Sequence, residues 1–160
     1  MKNHLIVAGA SALALLLAWG APSAALAGSN TSDFGLGVML GEPTGLTAKI
    51  WSGPNKAFDF GLAWSTGKND GMTLQADYVR HRFDLIDVEQ GSLPFYYGIG
   101  VRFRDRDNAD SNVGVRFPLG LDYLFADEPF DIFLEVAPIL DLTPDSDIDI
   151  NGTLGVRYYF

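Results

Sequence analysis

The basic side chains Lys49, Arg102, Arg104, Arg116 and Arg157 and the acidic ones Asp59, Asp77, Asp122, Asp131, Glu135 and Asp149 stand at alternate positions within otherwise apolar or glycine-rich segments. In an extended chain, alternate residues project from one face. Charges gathered on an enclosed face can line a gated path or a ligand pocket. They can also neutralise one another as a paired ionic plug, because a charge in a narrow interior must find a partner. The plug is the stronger expectation, since the interior of a small barrel is filled by side chains.

Other constellations carry less. Asp147, Asp149 and Asn151 followed by Gly152 match the opening of a calcium loop, but Tyr158 stands at the twelfth position, where a bidentate Glu is required. A strand with one polar side explains the same spacing. Asp105, Asp107 and Asp110 are interleaved with Arg104 and Arg106, which describes a self-neutralised solvated loop better than a cation site. The chain has no Cys, which excludes a disulfide scaffold, a zinc ribbon and a thiol enzyme. It has no nucleophile elbow, phosphate-binding loop or metal-ligand cluster. No catalytic, cofactor-binding or metal residue is assigned, and no enzymatic activity is expected.

The elements that would position these charges follow from hydropathy. The 160 residues are 48% hydrophobic and 19% charged, one domain's worth of chain and too apolar for disorder. Residues 1–27 read as a secretory signal peptide: Lys2, then an apolar run from Leu5 to Trp19, then Ala25 and Ala27 as the small residues of a cleavage site. The apolar run falls short of the roughly 20 residues that a spanning helix needs. Residues 28–160 form the expected barrel domain. Loss of Lys2 leaves ten basic against twenty acidic side chains there, a balance that argues against nucleic acid.

Along 28–160 the hydrophobic period is two. Ile148, Ile150, Leu154, Val156, Tyr158 and Phe160 alternate with Asp147, Asp149, Asn151, Thr153, Gly155, Arg157 and Tyr159, a face that is polar or small except at Tyr159. The pattern recurs over 95–104 and 113–123, and more weakly over 34–40, 45–51, 58–65, 72–83 and 130–140. Short Gly-, Pro- and Asp-rich connectors separate these eight segments and demand antiparallel neighbours. The expected fold is all-β, an eight-stranded antiparallel up-and-down barrel. Pro118 and Pro138 each remove a ladder donor, and a bulge or kink is expected at both.

The apolar faces decide which side is out. Together they carry roughly three dozen large or methyl-bearing side chains, whereas an eight-stranded interior holds on the order of a dozen. The apolar face must therefore point outward and the Gly, Arg and Asp face inward, where glycines make room for bulky neighbours. An outward apolar coat on an exported chain without a spanning helix implies a transmembrane barrel, which leaves no strand edge unpaired in lipid. Trp51, Trp64, Tyr78, Phe83, Phe95, Tyr123, Phe125 and Tyr158 fit interfacial girdles.

The closing residues Gly155-Val156-Arg157-Tyr158-Tyr159-Phe160, with segments such as Pro94-Phe95-Tyr96-Tyr97-Gly98-Ile99-Gly100, resemble those of small eight-stranded outer-membrane β-barrel proteins of Gram-negative bacteria, the OmpX/OmpW-like or porin-like class. The resemblance implies that Tyr158 and Phe160 act as the insertion signal read by the barrel-assembly machinery. It also implies an outer-membrane location, periplasmic chaperones during biogenesis, outer-membrane lipids as surroundings, a monomer and no cofactor. The expected role is structural, in envelope integrity or surface interaction. A narrow small-solute channel or ligand-binding barrel is the alternative.

A lipid-modifying enzyme is a third possibility and hangs on His81 alone. Barrel enzymes of the outer membrane use a His near the external rim. With both termini in the periplasm, His81 falls at the opposite end, and an Arg80-His81-Arg82 cluster at the membrane interface is the plainer expectation. The same topology makes the external turns near 41–44, 66–71, 105–111 and 141–146 short.

Overall fold

The computed structural model describes residues 33–65, 71–106 and 109–160; residues 1–27, with Ala25 and Ala27, lie outside the described residues. Nine strands follow one another: β1 (Phe34–Gly41), β2 (Gly45–Trp51), β3 (Lys56–Ser65), β4 (Gly71–Arg82), β5 (Phe95–Arg106), β6 (Ala109–Arg116), β7 (Leu119–Leu124), β8 (Phe130–Thr143) and β9 (Asp147–Tyr159). Every pairing is antiparallel, and β1 pairs with both β2 and β9, so the sheet closes into a ring. No helix among the described residues is long and apolar enough to cross a membrane.

Nine strands stand where the alternation predicts eight, and the difference lies at two prolines. β6 and β7 occupy one position in the ring, both lying between β5 and β8. Gly98 donates to the Pro118 carbonyl at 3.0 Å and Phe117 to the Pro138 carbonyl at 2.9 Å. Neither proline has an N–H to return the second bond of its pair. The 113–123 segment therefore loses one ladder bond on each side at the same level and splits at 117–118. The expected bulge or kink is corrected in one respect: the register does not shift at Pro118 or Pro138. It shifts between Arg104 and Arg106 and between Val113 and Gly114. The stretch 105–111, expected as a turn, is largely strand, and β8 runs on to Thr143.

Period two governs burial all round the ring. In β9, Ile148, Ile150, Leu154, Val156 and Tyr158 are exposed, while Asn151, Thr153, Gly155 and Arg157 are buried. In β8, Ile132, Leu134, Val136 and Leu140 face out, and Asp131, Phe133, Glu135, Ala137, Ile139 and Asp141 face in. Exposed large apolar side chains outnumber buried hydrophobic ones several-fold among the described residues, the reverse of a water-soluble globule. The small apolar core, Met39, Ala57, Ala63, Val79, Tyr96 and Phe133, lies within the ring.

Glycines on the inner face make space. A Cβ on Gly120 would stand 2.5 Å from the Tyr96 ring, and one on Gly155 would overlap the Phe133 ring. Both rings cross the interior over a bare backbone.

Candidate functional site

The inward side chains form three ionic clusters. Nearest the rim where β1 begins and β9 ends, the chain-end rim, Lys49 of β2 meets Asp122 of β7 at 2.9 Å and its cross-strand neighbour Asp59 of β3 at 3.5 Å. Arg157 of β9 donates through Nε to both oxygens of its neighbour Asp131 at 3.0 Å. It also reaches Asp122 at 3.3 Å and Asp59 at 3.6 Å. Tyr159 donates its hydroxyl to Asp131. The Arg157 guanidinium lies 4.2 Å from the centre of the Phe133 ring, and the Lys49 ammonium lies about equally far from Trp51 and Tyr96, 5.0 and 5.1 Å, cation–π contacts that supplement the carboxylates.

At mid-height, Arg116 of β6 distributes its fork over three partners. Nε donates to Asp77 at 3.0 Å, Nη1 to Gln75 at 2.8 Å and Nη2 to Glu135 at 2.6 Å. Tyr96 donates its hydroxyl to the other oxygen of Glu135 at 2.8 Å. Asp59 and Asp77 are cross-strand neighbours, and each carboxylate turns to a different cation, so the two clusters abut.

Toward the opposite rim, Arg102 of β5 grips Asp141 through both carboxylate oxygens at 2.8 Å and Asp149 at 3.0 Å. Arg104 stands 3.9 Å from Asp149. Lys49, Arg116, Asp122 and Asp131 are fully buried. Desolvation on that scale is tolerable only where every charge has partners of opposite sign.

Of the residues expected inside, Lys49, Asp59, Asp77, Arg102, Arg116, Asp122, Asp131, Glu135 and Arg157 are buried, Arg104 and Asp149 stand partly exposed at the opposite rim, and Asp141 and Tyr159 join them. Asp141 falls in the expected turn, but Leu140 and Leu142 flank it, and extending the period by two residues would have found it. Tyr159 is the one aromatic side chain on the polar side of β9, and its bond to Asp131 explains the exception. Trp51, expected in an outer girdle, is corrected: it follows Lys49 by two positions and packs at the interior end against His81, ring centres 4.4 Å apart. The Arg-His-Arg cluster is corrected as well, because alternation sends Arg80 and Arg82 outward and His81 inward.

His81 accepts a hydrogen bond from the Lys49 ammonium through Nε2 at 2.9 Å. Fully buried and packed between Trp51 and Tyr96, the ring offers Nε2 to no substrate at either rim.

One cavity of about 580 Å³ opens at the opposite rim, lined by Glu42, Thr44, Thr73, Arg104, Arg106 and Asp149 among others. Asp149 belongs both to this lining and to the Arg102 cluster, so the cavity ends against ion pairs. Among the described residues no group of His, Asp or Glu could hold a metal ion. The calcium-loop match dissolves into β9, where Asp149 turns to Arg102.

No protein-family model and no curated protein sequence matches the chain. Among solved structures it is similar to the crystal structure of the N-terminal β-barrel domain of Pseudomonas aeruginosa OprF, with a TM-score of 0.64 and 13% identity, over 81% of this chain and 98% of that one. At that identity the likeness is one of fold: an antiparallel β-barrel.

Proposed function

We propose that the protein is an integral outer-membrane β-barrel with a non-enzymatic role in envelope integrity or surface interaction, exported by residues 1–27 and inserted through the Tyr158 and Phe160 signal. The observation that carries this is the inversion of its faces: an apolar outer surface on every strand around an ionic interior. Such a surface is stable only where lipid replaces water. The OprF barrel domain, similar in fold, supports the class. The surroundings are outer-membrane lipids, and the protein is monomeric, its biogenesis assisted by periplasmic chaperones and the barrel-assembly machinery.

The three clusters act as a plug. A narrow channel or ligand-binding barrel is the second reading, favoured by the cavity at the opposite rim. The expected result is an outer-membrane fraction whose gel mobility changes on boiling and which shows no conductance in planar bilayers. Steady conductance would favour the channel. Recovery in the soluble periplasm with identical mobility boiled and unboiled would defeat both readings.

A further inference from the structure

The described basic side chains divide sharply by face. Lys49, Arg102, Arg104, Arg106, Arg116 and Arg157 turn to the interior or its mouth, whereas Lys56, Arg80 and Arg82 turn outward. These three lie together on β3 and β4 at the chain-end rim. Lys56 and Arg80 are direct cross-strand partners, and like charges directly opposite are destabilising unless something neutralises them. Arg82 is already occupied: it donates to both oxygens of Asp84 at 2.9 and 2.7 Å and holds that exposed carboxyl down at about 2. Neither Lys56 nor Arg80 has a carboxylate within 4.0 Å among the described residues, and the polar group beside Arg80 is the Tyr78 phenol. Phe58 and Tyr78 pack 5.4 Å apart on the same outer surface, and Tyr97, opposite Arg80 on β5, stacks on Phe95.

We propose that Lys56 and Arg80 form a binding site for the phosphate of an anionic phospholipid headgroup, with Phe58, Tyr78 and Tyr97 against its glycerol and acyl portion. This rests on the membrane reading above. A phosphate bridging the ammonium and the planar guanidinium turns the like-charge pair into an attractive triad. The aromatic flank suits the depth at which a headgroup meets its chains. Lys56 and Arg80 stand at the chain-end rim, so the site takes its lipid from the leaflet at that rim.

The test is native mass spectrometry of the detergent-solubilised barrel titrated with phosphatidylglycerol or phosphatidylcholine of the same chain length. The unaltered protein should retain phosphatidylglycerol about tenfold better, equivalent to ~1.4 kcal/mol. The double variant K56Q/R80Q should lose that preference, R80Q alone should lower it, and R82Q should leave it unchanged. Equal retention of the two lipids, a preference that survives in K56Q/R80Q, or displacement of the lipid by equimolar inorganic phosphate would overturn the site. Boiled and unboiled samples show that each variant is folded, and removal of the like-charge pair favours folding. Failure of the membrane reading is distinguishable: the unaltered protein would not enter phosphatidylcholine vesicles at all, and the inference would fall with it.

Discussion

Removing the Arg116 side chain would leave Asp77, Glu135 and Gln75 facing one another with no cation between them. Loss of one member of a buried ion pair costs about 3–5 kcal/mol, because the remaining charge keeps its desolvation penalty and loses its compensation. Arg116→Met is therefore expected to lower barrel stability by about that amount, read as the shift in urea midpoint followed by the mobility of unboiled samples. A variant as stable as the parent would show that the central cluster is solvated and that the plug does not hold the barrel together. Arg82→Gln, which breaks only the exposed pair with Asp84, should leave the midpoint where it is.

At the scale of the element, the weakest stave is the one shared by β6 and β7. Pro118 withholds a donor from Gly98 and Pro138 withholds one from Phe117, so both edges of the stave lose a bond at one level. The register on either side of the gap is already aligned. Pro118→Ala and Pro138→Ala should therefore each restore one ladder bond without moving the strands, for a gain of about 0.5–1.5 kcal/mol. The measurement is hydrogen exchange: the new amides at 118 and 138 should be as protected as those of neighbouring strand residues. Exchange at loop rates would mean that the stave is bent out of pairing there.

At the scale of the whole molecule, the apolar surface is the property that separates a membrane barrel from a soluble one of similar alternation. Leu134 lies on β8, exposed, with Leu121 and Leu154 as its cross-strand neighbours. Arginine on the lipid face near the bilayer midplane costs about 2–4 kcal/mol and much less near the interfaces. Leu134→Arg should accordingly lower the folding free energy in lipid vesicles by about that amount, measured by denaturant titration. An unchanged titration would place this band of the surface in water.

The strand faces were legible in the sequence because strand geometry is local: with a period of two, one misplaced residue shows at once, as Tyr159 did. Asp59, Asp77, Asp122, Asp131, Glu135 and Asp149 could be set on the inner face with Lys49, Arg102, Arg104, Arg116 and Arg157 from spacing alone. The excess of apolar side chains over what a narrow interior can hold also fixed which face is outside. Which cation meets which carboxylate was not legible, since Lys49 of β2 reaches Asp122 of β7, a strand that only ring closure brings opposite it. The same holds for His81, whose lone position between two arginines hid an inward ring bound to Lys49, and for the break at Pro118, whose effect depends on Pro138 standing at the same level across the stave. Alternation is written residue by residue along the chain, whereas register and closure relate strands more than a hundred residues apart. Only the folded ring decides those.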